Sequence, residues 1–381
     1  MKKRLYLIFH NRFPGEKAAS LFAAKSAEAF AREGIEVTLL VPRRFFRRGP
    51  DPYYYYAVEN NFRVLYLPVV DFLWLPTFQT LFFWLSFATF SVSVLMYLLA
   101  VSREEDILFS NESLPLWLLS FFRPNTFYEM HDFPESKLEW FRNFIGRMRW
   151  VLAHNTWKAE RVEKELGVPK EKILCVPNAV DVKKFHLMIT PREARKKIGL
   201  PLDKKIILYT GHLYEWKGVD TLFDAAFQLP EEYLVVFVGG TPKDMTRVKA
   251  RNSESDGRAL FVGTRSHREM PLWQAAADVL VLPNTAKEKI SAYYTSPMKL
   301  FEYMASERPI VASRLPSIEE IVSDREVLFF EPDNAKALAG AIVHSLADRV
   351  GSESRARAAL KKVQGFDWSL RTKKIVEFMG L

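Results

Sequence analysis

Lys205-Ile206-Ile207-Leu208-Tyr209-Thr210-Gly211 is a short apolar run closed by a glycine. A run that is apolar at consecutive positions, rather than at alternate ones, reads as a strand buried on both faces in a helix-covered parallel sheet. The pattern returns at Leu234-Val235-Val236-Phe237-Val238-Gly239-Gly240, at Ala259-Leu260-Phe261-Val262-Gly263, at Asp278-Val279-Leu280-Val281-Leu282-Pro283 and at Pro309-Ile310-Val311-Ala312. Between these runs the spacing predicts helices over 218–229, 270–277 and 298–306. Strand and helix in alternation define a doubly wound α/β domain, and such sheets bind ligands beyond the carboxyl ends of their strands.

The same alternation fills the first half. Arg4-Leu5-Tyr6-Leu7-Ile8-Phe9 is another continuous apolar run, a helix is expected over 20–32 with Gly34 as its stop, and 35–41 reads as a strand ended by Pro42. The chain has 381 residues, enough for two domains, and the polar, basic stretch within 178–200 is the expected boundary. Half the residues are apolar and a quarter charged, which excludes a disordered, collagen-like or disulfide-stapled chain. The single cysteine, Cys175, can form no intramolecular disulfide. Its flanks, Ile173, Leu174 and Val176, predict a buried, inert thiol. The basic start Met1-Lys2-Lys3-Arg4 precedes an apolar run too short for a signal-peptide core, so a cytoplasmic protein is expected.

Lys plus Arg exceed Asp plus Glu by 54 to 45, a net charge of +9. Arg43, Arg44, Arg47 and Arg48 cluster around Phe45 and Phe46. A solvated loop and a surface attracted to an anionic partner both fit this cluster; no nucleic-acid module is recognisable, so the macromolecular partner it would suit is an anionic membrane surface, not nucleic acid, with the protein peripheral to it. From Phe72 to Ser102 there is no charged residue. The 81–100 segment is long enough to span a bilayer. Ser86, Thr89, Ser91 and Ser93 punctuate it, and strand-like runs flank it at 64–67 and 107–109. A crossover helix keeps those strands in one sheet, so a buried or membrane-surface helix is expected ahead of a span.

Three strand-end loops carry candidate chemistry. In the first, 211–218, Lys217 can reach an anionic ligand and Gly218 lets the chain turn closely, beside Gly211 and His212. In the second, Tyr294-Thr295-Ser296-Pro297-Met298-Lys299-Leu300-Phe301-Glu302, Ser296 is expected to cap a helix that starts at Pro297. The amides of Met298, Lys299 and Leu300 then face a phosphate, and Glu302 accepts ribose hydroxyls. In the third, His131 and Asp132 stand at a strand end, where a histidine can donate to a sugar or diphosphate oxygen. No metal-ligand spacing, phosphate-binding Gly-rich Lys-Ser/Thr loop or serine-hydrolase elbow is present in the sequence.

At these residues the chain resembles the family-4 (group 1) retaining glycosyltransferases of the GT-B fold. Tyr209-Thr210-Gly211 with Lys217-Gly218-Val219-Asp220, then Phe237-Val238-Gly239-Gly240, Phe261-Val262-Gly263 and Ala277-Asp278-Val279, stand in the family's order. The most specific match is Ser296-Pro297-Met298-Lys299-Leu300-Phe301-Glu302-Tyr303-Met304-Ala305. Pro177-Asn178-Ala179-Val180-Asp181 is similar to the hinge, and Phe366-Asp367-Trp368-Ser369 to the start of the last helix. The resemblance implies two Rossmann-like domains facing each other, over 1–182 and 183–364, with a C-terminal helix over 365–381 crossing back to the first. It implies transfer of a sugar from a nucleotide diphosphate sugar, a UDP- or GDP-sugar, to an acceptor hydroxyl, with retention by front-face attack and no metal or cofactor; the basic, aromatic stretch over 42–56 and the apolar segment suggest a glycan or lipid-linked acceptor, in polysaccharide or glycolipid synthesis.

His131, Lys217 and Glu302 would be catalytic. Gly15 and Lys17 of a reduced glycine-rich loop, Asp132, Gly211, His212, Gly239, Thr264, Tyr294, Thr295, Ser296, Met298, Lys299 and Leu300 would bind substrate. The family carries two glutamates eight positions apart. Glu302 is the second, Tyr294 stands at the first, His212 replaces an arginine and Ala179 the hinge glycine. Three rival readings follow: a non-catalytic nucleotide-sugar-binding scaffold, a protein that spans the membrane through 81–100, and, more weakly, a different GT-B activity such as sugar 2-epimerisation.

Overall fold

The computed structural model describes residues 3–44, 50–73, 78–251 and 257–380. The chain divides into two compact units, residues 1–177 with 368–381, and residues 178–367. The division falls a few residues from 182 and 364 because Val180, Val182 and Phe185 join the core of the second unit. The Val180 amide donates to the Phe366 carbonyl at 3.0 Å.

The first unit holds seven strands: β1 (Arg4–Ile8), β2 (Glu36–Arg43), β3 (Arg63–Pro68), β4 (Ile107–Ser110), β5 (Thr126–Met130), β6 (Trp150–Ala153) and β7 (Ile173–Cys175). They form one parallel sheet in the order β3-β2-β1-β4-β5-β6-β7. The order reverses between β1 and β4, which makes their carboxyl ends the place where a ligand crevice opens. There the Ser110 hydroxyl donates to the Ile8 carbonyl at 2.7 Å, and Glu112 accepts the His10 amide at 3.1 Å. Helix α1 (Ala18–Arg32) follows β1. The last helix, Trp368–Met379, belongs to this unit, where Trp368 packs on Phe22 of α1. Strand β2 continues through Pro42, contrary to expectation. Pro42 pairs in register with Leu67 of the edge strand β3. Cys175 is exposed, not buried, because β7 is the opposite edge of the sheet.

Helix α2 (Gln79–Val101) connects β3 to β4, both in the same parallel sheet, and is therefore a crossover. Ser86, Phe87, Phe90, Ser91, Val94 and Leu98 are buried. The buried serines are satisfied: Ser91 donates to the Phe87 carbonyl at 2.8 Å, and Ser86 lies 3.3 Å from the His10 ring nitrogen. The opposite face is open to solvent, so the expected burial holds for one side only. Of the basic cluster, residues 45–48 lie outside the described residues, and Arg44 is paired with Asp71 at 3.1 Å.

The second unit holds β8 (Lys205–Thr210), β9 (Tyr233–Val238), β10 (Ala259–Gly263), β11 (Val279–Leu282), β12 (Ile310–Ser313) and β13 (Leu328–Phe330). They form a parallel sheet in the order β10-β9-β8-β11-β12-β13, with its switch point between β8 and β11. Helices α3 (Val219–Ala226) and α4 (Met298–Ala305) start at the carboxyl ends of the strands. Apolar side chains from both faces of the sheet are buried, as continuous apolar strands require.

Candidate functional site

In the second unit, glycines draw three strand ends together. The Gly211 amide donates to the Val238 carbonyl and the Gly239 amide to the Gly263 carbonyl, both at 2.8 Å. Gly239 has φ 120°, and a Cβ there would stand 2.3 Å from the Gly211 oxygen. Gly218 has φ 67°, and a Cβ would stand 1.8 Å from the Pro283 oxygen. These backbones approach so closely that no side chain fits. The 3₁₀ turn Glu215–Lys217 then sets Lys217 one residue before Gly218, the cap of α3. On α4, Lys299, Glu302 and Tyr303 are three and four residues apart and share a face. Tyr303 accepts the Thr210 amide at 2.9 Å, which pins that face to the end of β8.

The side chains gathered there are charged and mostly buried. Burial lowers the Lys217 ammonium to about 8, against the pull of Glu302. Burial and the neighbouring Lys217 charge push Lys299 well below the ordinary lysine range, again against Glu302. The Lys299 Nζ sits 3.8 Å from the centre of the Tyr209 ring and has no hydrogen-bond partner. Glu302 is buried, and its two oxygens meet His267 Nε2 at 3.0 Å and Gln274 Nε2 at 3.3 Å. His212 stacks on Tyr214 with ring centres 5.0 Å apart.

In the first unit, Glu129 at the end of β5 is fully buried. Its Oε1 accepts from Arg371 and, at 3.0 Å, from His154. Burial alone would raise this carboxyl, but Arg371, His131 and His154 outweigh it and hold it well below the usual carboxylate range. Its Oε2 lies 3.7 Å from His131 Nε2, which has no hydrogen-bond partner. The buried Lys158 donates to the Met130 carbonyl at 3.0 Å and the His131 carbonyl at 2.8 Å, fixing the strand end. Glu129, His131 and His154 present atoms within 4.8 Å of one another, a spacing that suits a metal. The Arg371 guanidinium already supplies the positive charge at that carboxylate. Asp132 is exposed beside His131. Lys17 is the residue before α1, and the Gly15 amide donates to the Tyr56 hydroxyl at 2.6 Å.

Residues 204–348 match the family model described as Glycosyl transferases group 1. The putative teichuronic acid biosynthesis glycosyltransferase TuaC of Bacillus subtilis is 26% identical over 203 residues, 53% of this chain and 48% of that protein. The chain spans about half the length of the curated relatives it matches. The sucrose-phosphate synthase of Thermosynechococcus elongatus superposes with a TM-score of 0.79 at 20% identity, covering 99% of this chain and 98% of that one. HepE of Anabaena, solved in complex with UDP and glucose, gives 0.77 at 19% identity over 100% of both chains. The fold of the chain is GT-B, two Rossmann-like domains.

Within the second unit, the structure brings Gly211, Lys217, Lys299 and Glu302 together and changes two expected local roles, those of Ser296 and Leu300. Ser296 does not cap α4. Its hydroxyl accepts the Asn178 amide at 3.2 Å, and Asn178 Nδ2 donates to its carbonyl, so it anchors the segment entering the domain. Pro297 occupies the cap position instead. The Leu300 amide is not free for a phosphate, because it donates to the Pro297 carbonyl at 2.9 Å. Only the Met298 and Lys299 amides remain of the expected three. The Gly239 amide is taken by the Gly263 carbonyl at 2.8 Å. Thr264 is exposed and donates to the Gly240 carbonyl at 3.2 Å. Tyr294 is buried at the end of a wide helical turn, and the Thr295 amide closes that turn on Ile290 at 3.0 Å. Two partners escaped the sequence, His267 and Gln274. Their only signal is position: His267 follows the glycine that ends β10.

Proposed function

We propose that the chain transfers a sugar from a nucleotide diphosphate sugar to an acceptor hydroxyl. The donor class is a UDP- or GDP-sugar, and the acceptor a glycan or lipid-linked sugar of the surface-polysaccharide kind. One observation carries the reading: Lys299 is buried without a hydrogen-bond partner, beside a second, partly buried lysine, Lys217. Two ammonium groups share one carboxylate that His267 and Gln274 already engage. Such an excess of positive charge is costly unless an anion completes it. A diphosphate is that anion, and as a leaving group it gains charge where the lysines and the Met298 and Lys299 amides stand. Glu302, oriented by two donors, is left to accept ribose hydroxyls. HepE, solved with UDP-glucose, makes uridine donors the first to test. TuaC, named for teichuronic acid biosynthesis, supports the acceptor class.

The reaction breaks the bond between the anomeric carbon and the diphosphate oxygen and joins that carbon to the acceptor oxygen. Front-face attack retains configuration and needs no enzyme nucleophile. The engaged, buried Glu302 suits that route better than a covalent one. The lysines meet the leaving-group charge, so no metal is required. We place the reaction in the cytoplasm, in keeping with a single cysteine.

The test is release of nucleoside diphosphate from UDP- and GDP-sugars, with chelator present, with and without glycan or lipid-linked acceptors. Acceptor-dependent release is expected, and proton NMR of the product should show the donor's anomeric configuration. An inverted product, or loss of turnover on chelation, would overturn those parts. Tyr294, buried where the resemblance places an acid, favours a second reading as a binding scaffold. Nucleotide affinity without turnover would establish it.

A further inference from the structure

Helix α2 has two faces of unlike use. One packs in the first unit through Phe87, Phe90, Val94 and Leu98. The other is a stripe, Leu81, Leu85, Ala88, Val92, Met96 and Leu99, at successive steps of three or four residues, and every member is exposed. Leu81 is 62% exposed, Met96 68%, and Trp84 beside the stripe 57%. At 1.5 Å per residue the stripe runs about 27 Å. A soluble helix turns a polar face to water, and an unbroken apolar face of this length marks a binding surface.

We propose that the solvent-facing side of α2, with the aromatic and basic edge at its C-terminal end, is a docking surface for an anionic lipid bilayer. The edge identifies the occupant. Phe121 and Phe122 are about half exposed. The Arg123 guanidinium donates to the Ser102 carbonyl at 2.9 Å and the Leu99 carbonyl at 3.4 Å, which fixes it at the end of the stripe. The Arg147 guanidinium stands 3.8 Å over the Phe121 ring. Exposed phenyl rings beside guanidinium groups, at the rim of an uncharged stripe, match the boundary between acyl chains and lipid phosphates. Glu104 and Glu105 lie beyond the helix end, and Glu105 is paired with Arg103 at 3.8 Å. Crossing the bilayer is a different arrangement, which the placement of β3 and β4 in one sheet rules out for this fold.

The test is flotation of the full chain with vesicles of phosphatidylcholine alone or mixed with phosphatidylglycerol. Binding to the anionic vesicles at low salt is expected, weakening as salt is added. Leu85→Glu with Met96→Glu should lower the bound fraction roughly tenfold, since both charges would enter the acyl boundary. Arg147→Gln should lower it roughly fivefold, one cation's share. A nucleotide-induced rise in melting temperature, kept in both variants, shows that they are folded and separates this surface from the donor site. The proposal is overturned if the unaltered chain ignores anionic vesicles at low salt, or if the double variant binds them equally. It is also overturned if the vesicle-free chain is a dimer that the double variant makes monomeric, since the face would then join two copies.

Discussion

Lys217→Ala should reduce turnover of a nucleotide sugar roughly 10²–10³-fold, the loss seen when one preorganised group facing a developing charge is removed. Lys217 stands at the turn into α3, held by a glycine no other residue can replace. Its proton is loosely held, with a pKa of about 8, because burial outweighs Glu302. A bound diphosphate favours the charged form, so binding takes up a proton above that pH. Affinity for a nucleoside diphosphate should therefore fall as pH rises through about 8, by up to tenfold per unit, and Lys217→Ala should flatten the profile. The unliganded chain should behave in the opposite sense. Its folded pKa lies below the unfolded one, so above about 8 the unfolded chain holds a proton that the folded chain has released. Lys217 then makes stability rise with pH from about 8 to the ordinary lysine range. Titration calorimetry and melting curves at pH 7 and pH 9 read both effects.

Arg371→Leu should destabilise the first unit by about 3–5 kcal/mol, the cost of stranding a buried charge. Arg371 and Glu129 are both buried, and the C-terminal helix is bound to the end of β5 through them. Removing the guanidinium leaves Glu129 with His154, which burial keeps neutral, with Lys158 acting in the same direction. The pH dependence gives the mechanism away. In the unaltered chain the folded pKa of Glu129 is depressed, so its contribution is full above the unfolded carboxylate value and lost as pH falls through the folded one. In the variant, burial raises the folded pKa instead. The stability gap should therefore be widest near neutral pH and narrow in acid. The double change Glu129→Gln with Arg371→Met should recover much of the loss, because no charge is stranded. Urea unfolding at two pH values measures the gap. A gap independent of pH would mean that packing, not charge, is what Arg371 supplies.

Much of this was legible because parallel strands buried on both faces leave continuous apolar runs. Residues 205–210, 234–238 and 279–282 declare the second sheet, and the loops beyond them contain Lys217 and Glu302. What the sequence concealed is long-range pairing. His267 and Gln274 lie 35 and 28 residues from Glu302, and nothing local marks them as its partners. Arg371 is 242 residues from Glu129, and only the return of the last helix joins them. Ser296 misled because a serine before a proline is a cap by local rules, whereas here the Asn178 amide takes its hydroxyl. Cys175 misled because apolar neighbours do not tell an edge strand from a central one. In α2 the flanking strands pointed to a buried or membrane-surface helix, but which face meets the sheet is decided by packing.

The most direct measurement is thermal stability of the chain against a panel of nucleoside diphosphates and their sugars. A ligand at 100 times its dissociation constant stabilises by about 2.7 kcal/mol, a readily measured shift. A uridine or guanosine diphosphate should stand out from the panel, its sugar should do likewise, and Glu302→Ala should abolish the shift while leaving the chain folded. A folded chain that no nucleotide stabilises, or a Glu302→Ala variant that keeps the full shift, would contradict a donor site built on Lys217, Lys299 and Glu302.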